Sequence, residues 1–149
     1  MRDDTPRSFL DVFEALERNR VRYVVVSGVA VVLRGHCRPV ADLDLVVPAE
    51  PLAAGHAVRT LQALGFAPSL PLPIHALTVL RMFDASQREV DVFYRYHVPF
   101  EHLWAESELL RVAERPLRVA ALEHVVQVKR LLGRPHDLCD VRALLEIHR

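Results

Sequence analysis

The chain has 149 residues, with 19 basic and 19 acidic side chains and no formal net charge, which fits one hydrophobic core and leaves no broad basic field for holding nucleic acid nonspecifically. Cys37 and Cys139 are too few and too far apart for a zinc framework, and the opening MRDDTPRSFL lacks the charged-then-apolar layout of a signal peptide. No apolar run reaches the roughly eighteen residues of a membrane span, so the expected setting is cytoplasmic and reducing, with no membrane partner.

In chain order, Thr5-Pro6 suits an N-cap and first helical position, and Phe9, Leu10, Phe13 and Leu16 recur at helical spacing, predicting a helix over 6–19. Tyr23 to Val26 is a continuous run that reads as a strand buried on both faces. It ends at Ser27-Gly28, where the chain turns into a short helix, Val29 to Arg34, closed by Gly35. The first amides of a helix have no intrahelical partner. A glycine there lets a phosphate approach the backbone, and the Ser27 hydroxyl adds a donor; the same turn is also an ordinary strand-to-helix connection.

The next strand, Asp42 to Val47, opens on two carboxylates one residue apart, which alternation puts on one face. Like charges side by side repel unless a cation lies between them, and a divalent ion with hard oxygen ligands is the usual solution. If this strand returns beside Tyr23–Val26, the carboxylates lie near the Ser27-Gly28 turn. Pro51 opens a helix with the stripe Leu52, Val58, Leu61 and Leu64, ended by Gly65. PSLPLPIHAL, residues 68–77, reads as a loop. Two strands follow, Ala76 to Phe83 and Glu89 to Tyr94, joined by the turn Asp84 to Arg88. In the second, Val90, Val92 and Tyr94 share one face, and Asp91 is the charged exception on the other. A strand-centre aspartate is costly unless paired or metal-bound. It reads either as an ion pair with Arg81 across the hairpin, or an exposed edge residue, or as the third member of a carboxylate cup with Asp42 and Asp44.

Phe100 and Trp104, at helical spacing, read as core. Leu117 to Ala120 leads into a helix, Ala121 to Leu132, with the stripe Leu122, Val125, Val126 and Leu132. It carries the sole lysine, Lys129, either exposed or a compact ammonium directed at a phosphate. Asp137 reads as the N-cap of a last helix with the stripe Leu138, Val141, Leu144 and Leu145. The eight histidines show no His-x-x-x-His spacing, which excludes a zinc motif, and Cys37 beside His36 is not a nucleophile and base pair.

Hydrophobic strand, small-residue turn, Asp-x-Asp strand and a later lone aspartate on a strand, in that order, resemble the nucleotidyltransferase superfamily of the DNA polymerase β type. More narrowly, the chain resembles small prokaryotic members related to the AbiEii toxins, with Lys129, Arg134, Asp137 and Asp140 matching that group's terminal lysine, arginine and aspartate pattern. The resemblance covers about Tyr23 to Leu145. It implies an α/β (α+β) fold: one nucleotidyltransferase-like domain over 1–149, a mixed β-sheet flanked by helices in a core of about 21–96, and a C-terminal helical pair in about 120–149.

The resemblance further implies transfer of a nucleoside monophosphate from a nucleoside triphosphate to a hydroxyl of a protein, RNA or small molecule, possible within a toxin–antitoxin or defence system. Asp42, Asp44 and Asp91 would be catalytic and hold magnesium, as two ions, with manganese as a substitute. Asp91 would help deprotonate the acceptor, with Asp137 as an alternative base. Ser27, Gly28, Arg38 and Lys129 would bind the nucleotide, with either Arg34 or Arg38 reaching the phosphates. The loop Pro68 to His75, or a second subunit or partner protein, would complete the cleft. Two other readings stay open: an inactive nucleotidyltransferase fold serving as a binding module or antitoxin, and a metal-dependent phosphodiesterase.

Overall fold

The computed structural model describes residues 5–69 and 78–149. The expected helix over 6–19 is two pieces, α1 (Thr5–Ser8) and α2 (Leu10–Arg18), interrupted at Phe9, whose φ is −112°. Thr5 lies within α1 instead of capping it, and its hydroxyl donates to the Val40 carbonyl at 2.8 Å. That bond ties the start of the chain to the loop preceding the Asp-x-Asp strand.

Then come β1 (Val24–Val26), α3 (Ser27–Leu33), β2 (Asp42–Val46), α4 (Pro51–Ala63), β3 (Ala67–Pro68), β4 (Val79–Phe83) and β5 (Glu89–Phe93). They are followed by α5 (Phe100–Glu106), β6 (Glu108–Val112), β7 (Arg115–Val119), α6 (Leu122–Leu132) and α7 (Pro135–Ile147). The sheet runs β3-β4-β5-β2-β1-β7-β6. β1 is antiparallel to β2 and parallel to β7, while β2 is parallel to β5. This mixed sheet flanked by helices, with a C-terminal helical pair, is the expected architecture. The expected strand start at Ala76 lies outside the described residues, as does most of the loop 68–77.

All three residues of β1 are buried, as a continuous β-branched run requires of a central strand. In β2, Leu43 and Leu45 enter the core while Asp42 and Asp44 stay half-buried on the opposite face. α4 is capped by the Glu50 carboxylate, which accepts from the amides of Leu52 and Ala53. Its buried face is built from Ala54, Ala57, Val58 and Leu61; Leu52, expected in that stripe, is 78% exposed.

The sequence patterns missed β3, α5 and the β6–β7 hairpin. The hairpin turns on Ala113 and Glu114, with φ of 49° and 70°, a conformation usually announced by Asn-Gly or Asp-Gly. Corrections also fall on the last two helices, where Leu132, Leu138 and Leu145 are 40–47% exposed. Instead α6 buries Val125, Val126, Val128 and Lys129, and α7 buries Asp137, Asp140, Val141 and Leu144. The helices therefore meet across a charged seam. Asp137 is the third helical residue of α7, not its cap, and accepts the Arg134 amide at 3.2 Å. Among the described residues no helix is long and apolar enough to cross a membrane.

Candidate active site

Strand register builds the acidic part of the site. Asp44 pairs with Val26 on one side and with Asp91 on the other. Asp42 and Asp44 share a face by alternation, and Asp91, level with Asp44 on the parallel neighbour, joins it. One carboxylate oxygen from each lies within 4.8 Å of the others. The third carboxyl, Asp91, is buried.

This cluster is electrostatically unbalanced. Burial, followed by hydrogen-bonding and repulsion from Asp42, pushes the Asp44 carboxyl well above its usual range, while the Ser27 hydroxyl pulls the other way. Burial again, followed by Glu89 and then Asp44, pushes Asp91 up. Asp44 Oδ1 and Asp91 Oδ1 are enclosed without a hydrogen-bond partner. The anticipated pair with Arg81 exists, but its Nε is 3.8 Å from Asp91 Oδ2 on a side chain 65% exposed. Such a contact is worth little and leaves the other oxygen unserved. Three converging, under-partnered carboxylates fit a hard divalent cation.

A titration follows from the sign of these shifts. Both carboxyls bind protons more tightly folded than unfolded, so metal-free stability is greatest below about pH 4 and falls as pH rises toward about 8 and 9 through this pair. Urea midpoints from pH 5 to 9 are expected to show this component, and saturating magnesium to remove it. An Asp44→Asn chain with an unchanged pH profile would contradict the assignment.

The Ser27-Gly28 turn adjoins Asp44. Ser27 itself holds the left-handed conformation, φ 57°, as the first residue of α3, a strained geometry for a residue with a side chain. Gly28 does not. Its need is space: an added Cβ would lie 2.8 Å from Val40 Cγ1 and 3.2 Å from Cγ2, with Arg38 Nη2 at 3.5 Å. Gly28→Ala is expected to cost about 1–3 kcal/mol by overpacking, largely recovered in Gly28→Ala/Val40→Ala, as read from urea midpoints.

A cationic cluster lies where α6 meets α7 and the loop before β2. Lys129, buried instead of exposed, places Nζ 3.2 Å from Asp137 Oδ1 and 3.0 Å from Asp140 Oδ2. Arg38 grips Asp140 with two bonds, Nε at 2.8 Å and Nη2 at 2.7 Å. Arg134 Nε lies 2.6 Å from Asp137 Oδ2. Three cations on two carboxylates leave one positive charge in excess. Burial opposes ionisation of Asp137, but Arg134 and Lys129 outweigh it and hold the carboxyl down at about 2, which makes Asp137 a poor base. Arg34 is engaged elsewhere, donating to the Ala120 carbonyl at 2.8 Å and pairing with Glu108 at 3.0 Å.

A cleft of about 320 Å³ joins these parts, lined by Ser27, Gly28, Asp42 and Asp44 and by Arg38, Lys129, Arg134 and His136. Asp91 lies behind Asp44. Its remaining wall includes Tyr96, Leu103, His124, Val125 and Val128, none of which was singled out as a site residue from sequence. His124, Val128 and Leu132 recur at intervals of four on the face of α6 beside Lys129, and that spacing was the available signal. Burial pushes the Tyr96 hydroxyl up to about 12, with Ser27 acting in the opposite direction and Asp44 adding to the rise.

No family profile matches the chain, and no curated protein matches it in sequence. Solved structures do match in shape. A proposed nucleotidyltransferase from Thermotoga maritima superposes with a TM-score of 0.70 at 16% identity, covering 98% of this chain and 96% of that one. The lincosamide antibiotic adenylyltransferase LnuA, bound to lincomycin, gives 0.66 at 15%, covering 95% and 96%. ANT(2")-Ia, in complex with adenylyl-2"-tobramycin, gives 0.65 at 16%, covering 89% and 83%. The chain thus has the nucleotidyltransferase fold expected from its motifs.

Proposed function

We propose that this nucleotidyltransferase-fold chain is a divalent-metal-dependent enzyme that moves a nucleoside monophosphate from a nucleoside triphosphate to a hydroxyl, releasing pyrophosphate. One observation carries the reading: a single cleft is lined both by the carboxylates Asp42 and Asp44, with Asp91 level with Asp44 on the neighbouring strand, and by Arg38, Lys129 and Arg134. Asp42, Asp44 and Asp91 would hold magnesium, or manganese in its place. When bound, the metal supplies neutralisation of the charge that develops around the α-phosphate. Ser27 and Gly28 form the rim against which the triphosphate lies. Lys129 and Arg38 bind its outer phosphates and favour departure of pyrophosphate. Asp91 is the group assigned to accept the acceptor's proton, since Asp137 is committed to Lys129 and Arg134.

The lincomycin and tobramycin complexes of the neighbours support a small-molecule hydroxyl as acceptor. A protein or RNA acceptor in a toxin–antitoxin system rests on the AbiEii resemblance.

Thermal shifts with each of the four ribonucleoside triphosphates, with and without magnesium, test the reading. At a hundredfold excess over Kd, one nucleotide is expected to stabilise the chain by about 2.7 kcal/mol only when metal is present. No metal-dependent stabilisation by any of the four would favour a binding module that has lost the chemistry. Release of mononucleotide from a polymer without pyrophosphate would favour a phosphodiesterase.

A further inference from the structure

We infer that His124 recognises the nucleoside part of the nucleotide, its Nε2–H donating to a neutral acceptor atom on the sugar or base; this rests on the nucleotide reading of the cleft. His124 is the third residue of α6 and lines the cleft with Val125, Val128 and Lys129. Lys129 is five residues further along, about 7.5 Å at the helical rise. Between them Val125 and Val128 also line the cleft. Lys129, among Arg38, Asp137 and Asp140, marks the charged end, where phosphates are held. The cleft-lining residues within one helical turn of His124 in the chain, Ala120, Val125 and Val128, are apolar.

The ring's own environment sets its tautomer. Nδ1 is enclosed with no hydrogen-bond partner, and a buried orphan N–H is rarer than a buried orphan lone pair. The proton accordingly resides on Nε2, and a neutral imidazole has only that one donor. No hydrogen bond or ion pair to His124 Nε2 is found among the described residues. A donor without a protein partner, with apolar lining residues on either side of it along α6 and about 7.5 Å of helical rise from Lys129, suits a ring nitrogen, carbonyl or hydroxyl more than a phosphate.

The test compares two probes, magnesium tripolyphosphate and the magnesium complex of the best-binding ribonucleoside triphosphate, by calorimetric titration of wild type, His124→Phe and His124→Gln. His124→Phe is expected to weaken nucleotide binding about tenfold, the loss of one hydrogen bond, and to leave tripolyphosphate binding unchanged. His124→Gln, whose amide nitrogen reaches the Nε2 position, is expected to recover most of the nucleotide affinity. Wild-type nucleotide affinity in His124→Phe, or equal weakening of both probes in both variants, would overturn the inference while leaving the nucleotidyltransferase reading intact. Failure of wild type to bind either probe would overturn both.

Discussion

Asp42→Asn/Asp44→Asn is expected to lower magnesium-dependent nucleotidyl transfer on the order of 10³-fold, since charge stabilisation of several kcal/mol is removed and each 1.4 kcal/mol is a factor of ten. The fold should survive, because both side chains are half-buried on the face of β2 opposite its core residues. Metal-free stability should even rise at neutral pH, because the change removes negative charge that now opposes ionisation of Asp91. Radiolabel transfer from the nucleotide reads the first expectation, and circular dichroism and urea midpoints read the other two. Retained transfer in a folded double variant would remove the catalytic assignment.

Lys129→Met is expected to destabilise the chain by about 2–3 kcal/mol. Loss of one partner from a buried ion pair costs about 3–5 kcal/mol, reduced here because Arg38 still holds Asp140 and Arg134 still holds Asp137. The pH dependence has a definite sign. Asp137 is depressed to about 2, so its contribution is present above the unfolded value near 4 and lost as pH falls through about 2. The difference between wild type and variant in urea midpoints should therefore narrow below pH 4. Lys129→Met/Asp137→Asn/Asp140→Asn separates structure from function. It removes both buried carboxylates together with Lys129 and leaves the partly exposed Arg38 and Arg134 to water, so stability should partly return while tripolyphosphate binding stays weaker than in wild type. Recovery of binding along with stability would make Lys129 structural only.

The two halves of the site differed in how visible they were. Alternation alone puts Asp42 and Asp44 on one face, and a charged residue inside the apolar run Val90 to Phe93 marks Asp91, so the acidic cup was legible from single strands. The cationic side, Arg38, Lys129, Arg134, Asp137 and Asp140, was named only through the family resemblance, because its assembly depends on how α6 and α7 are rotated against each other. Leu138 and Leu145 promised an apolar seam, yet α7 turns Asp137 and Asp140 inward to meet Lys129. Arg34 and Arg38, four residues apart, looked equivalent in sequence; Arg38, paired with Asp140, lines the cleft, whereas Arg34 is turned to Ala120 and Glu108. Gly28 was marked for close approach of a phosphate; the structure adds that a side chain there would meet Val40, and that Ser27 holds the left-handed conformation.

The proposed chemistry requires a divalent ion at the Asp42, Asp44 and Asp91 cluster on β2 and β5. Crystals soaked with manganese and a non-hydrolysable nucleoside triphosphate test this directly through the anomalous signal. A peak within about 2.5 Å of carboxylate oxygens of Asp42 and Asp44, with nucleotide density running toward Lys129, is the predicted result. Manganese bound elsewhere, or nucleotide bound with no ion among the three aspartates, would contradict it.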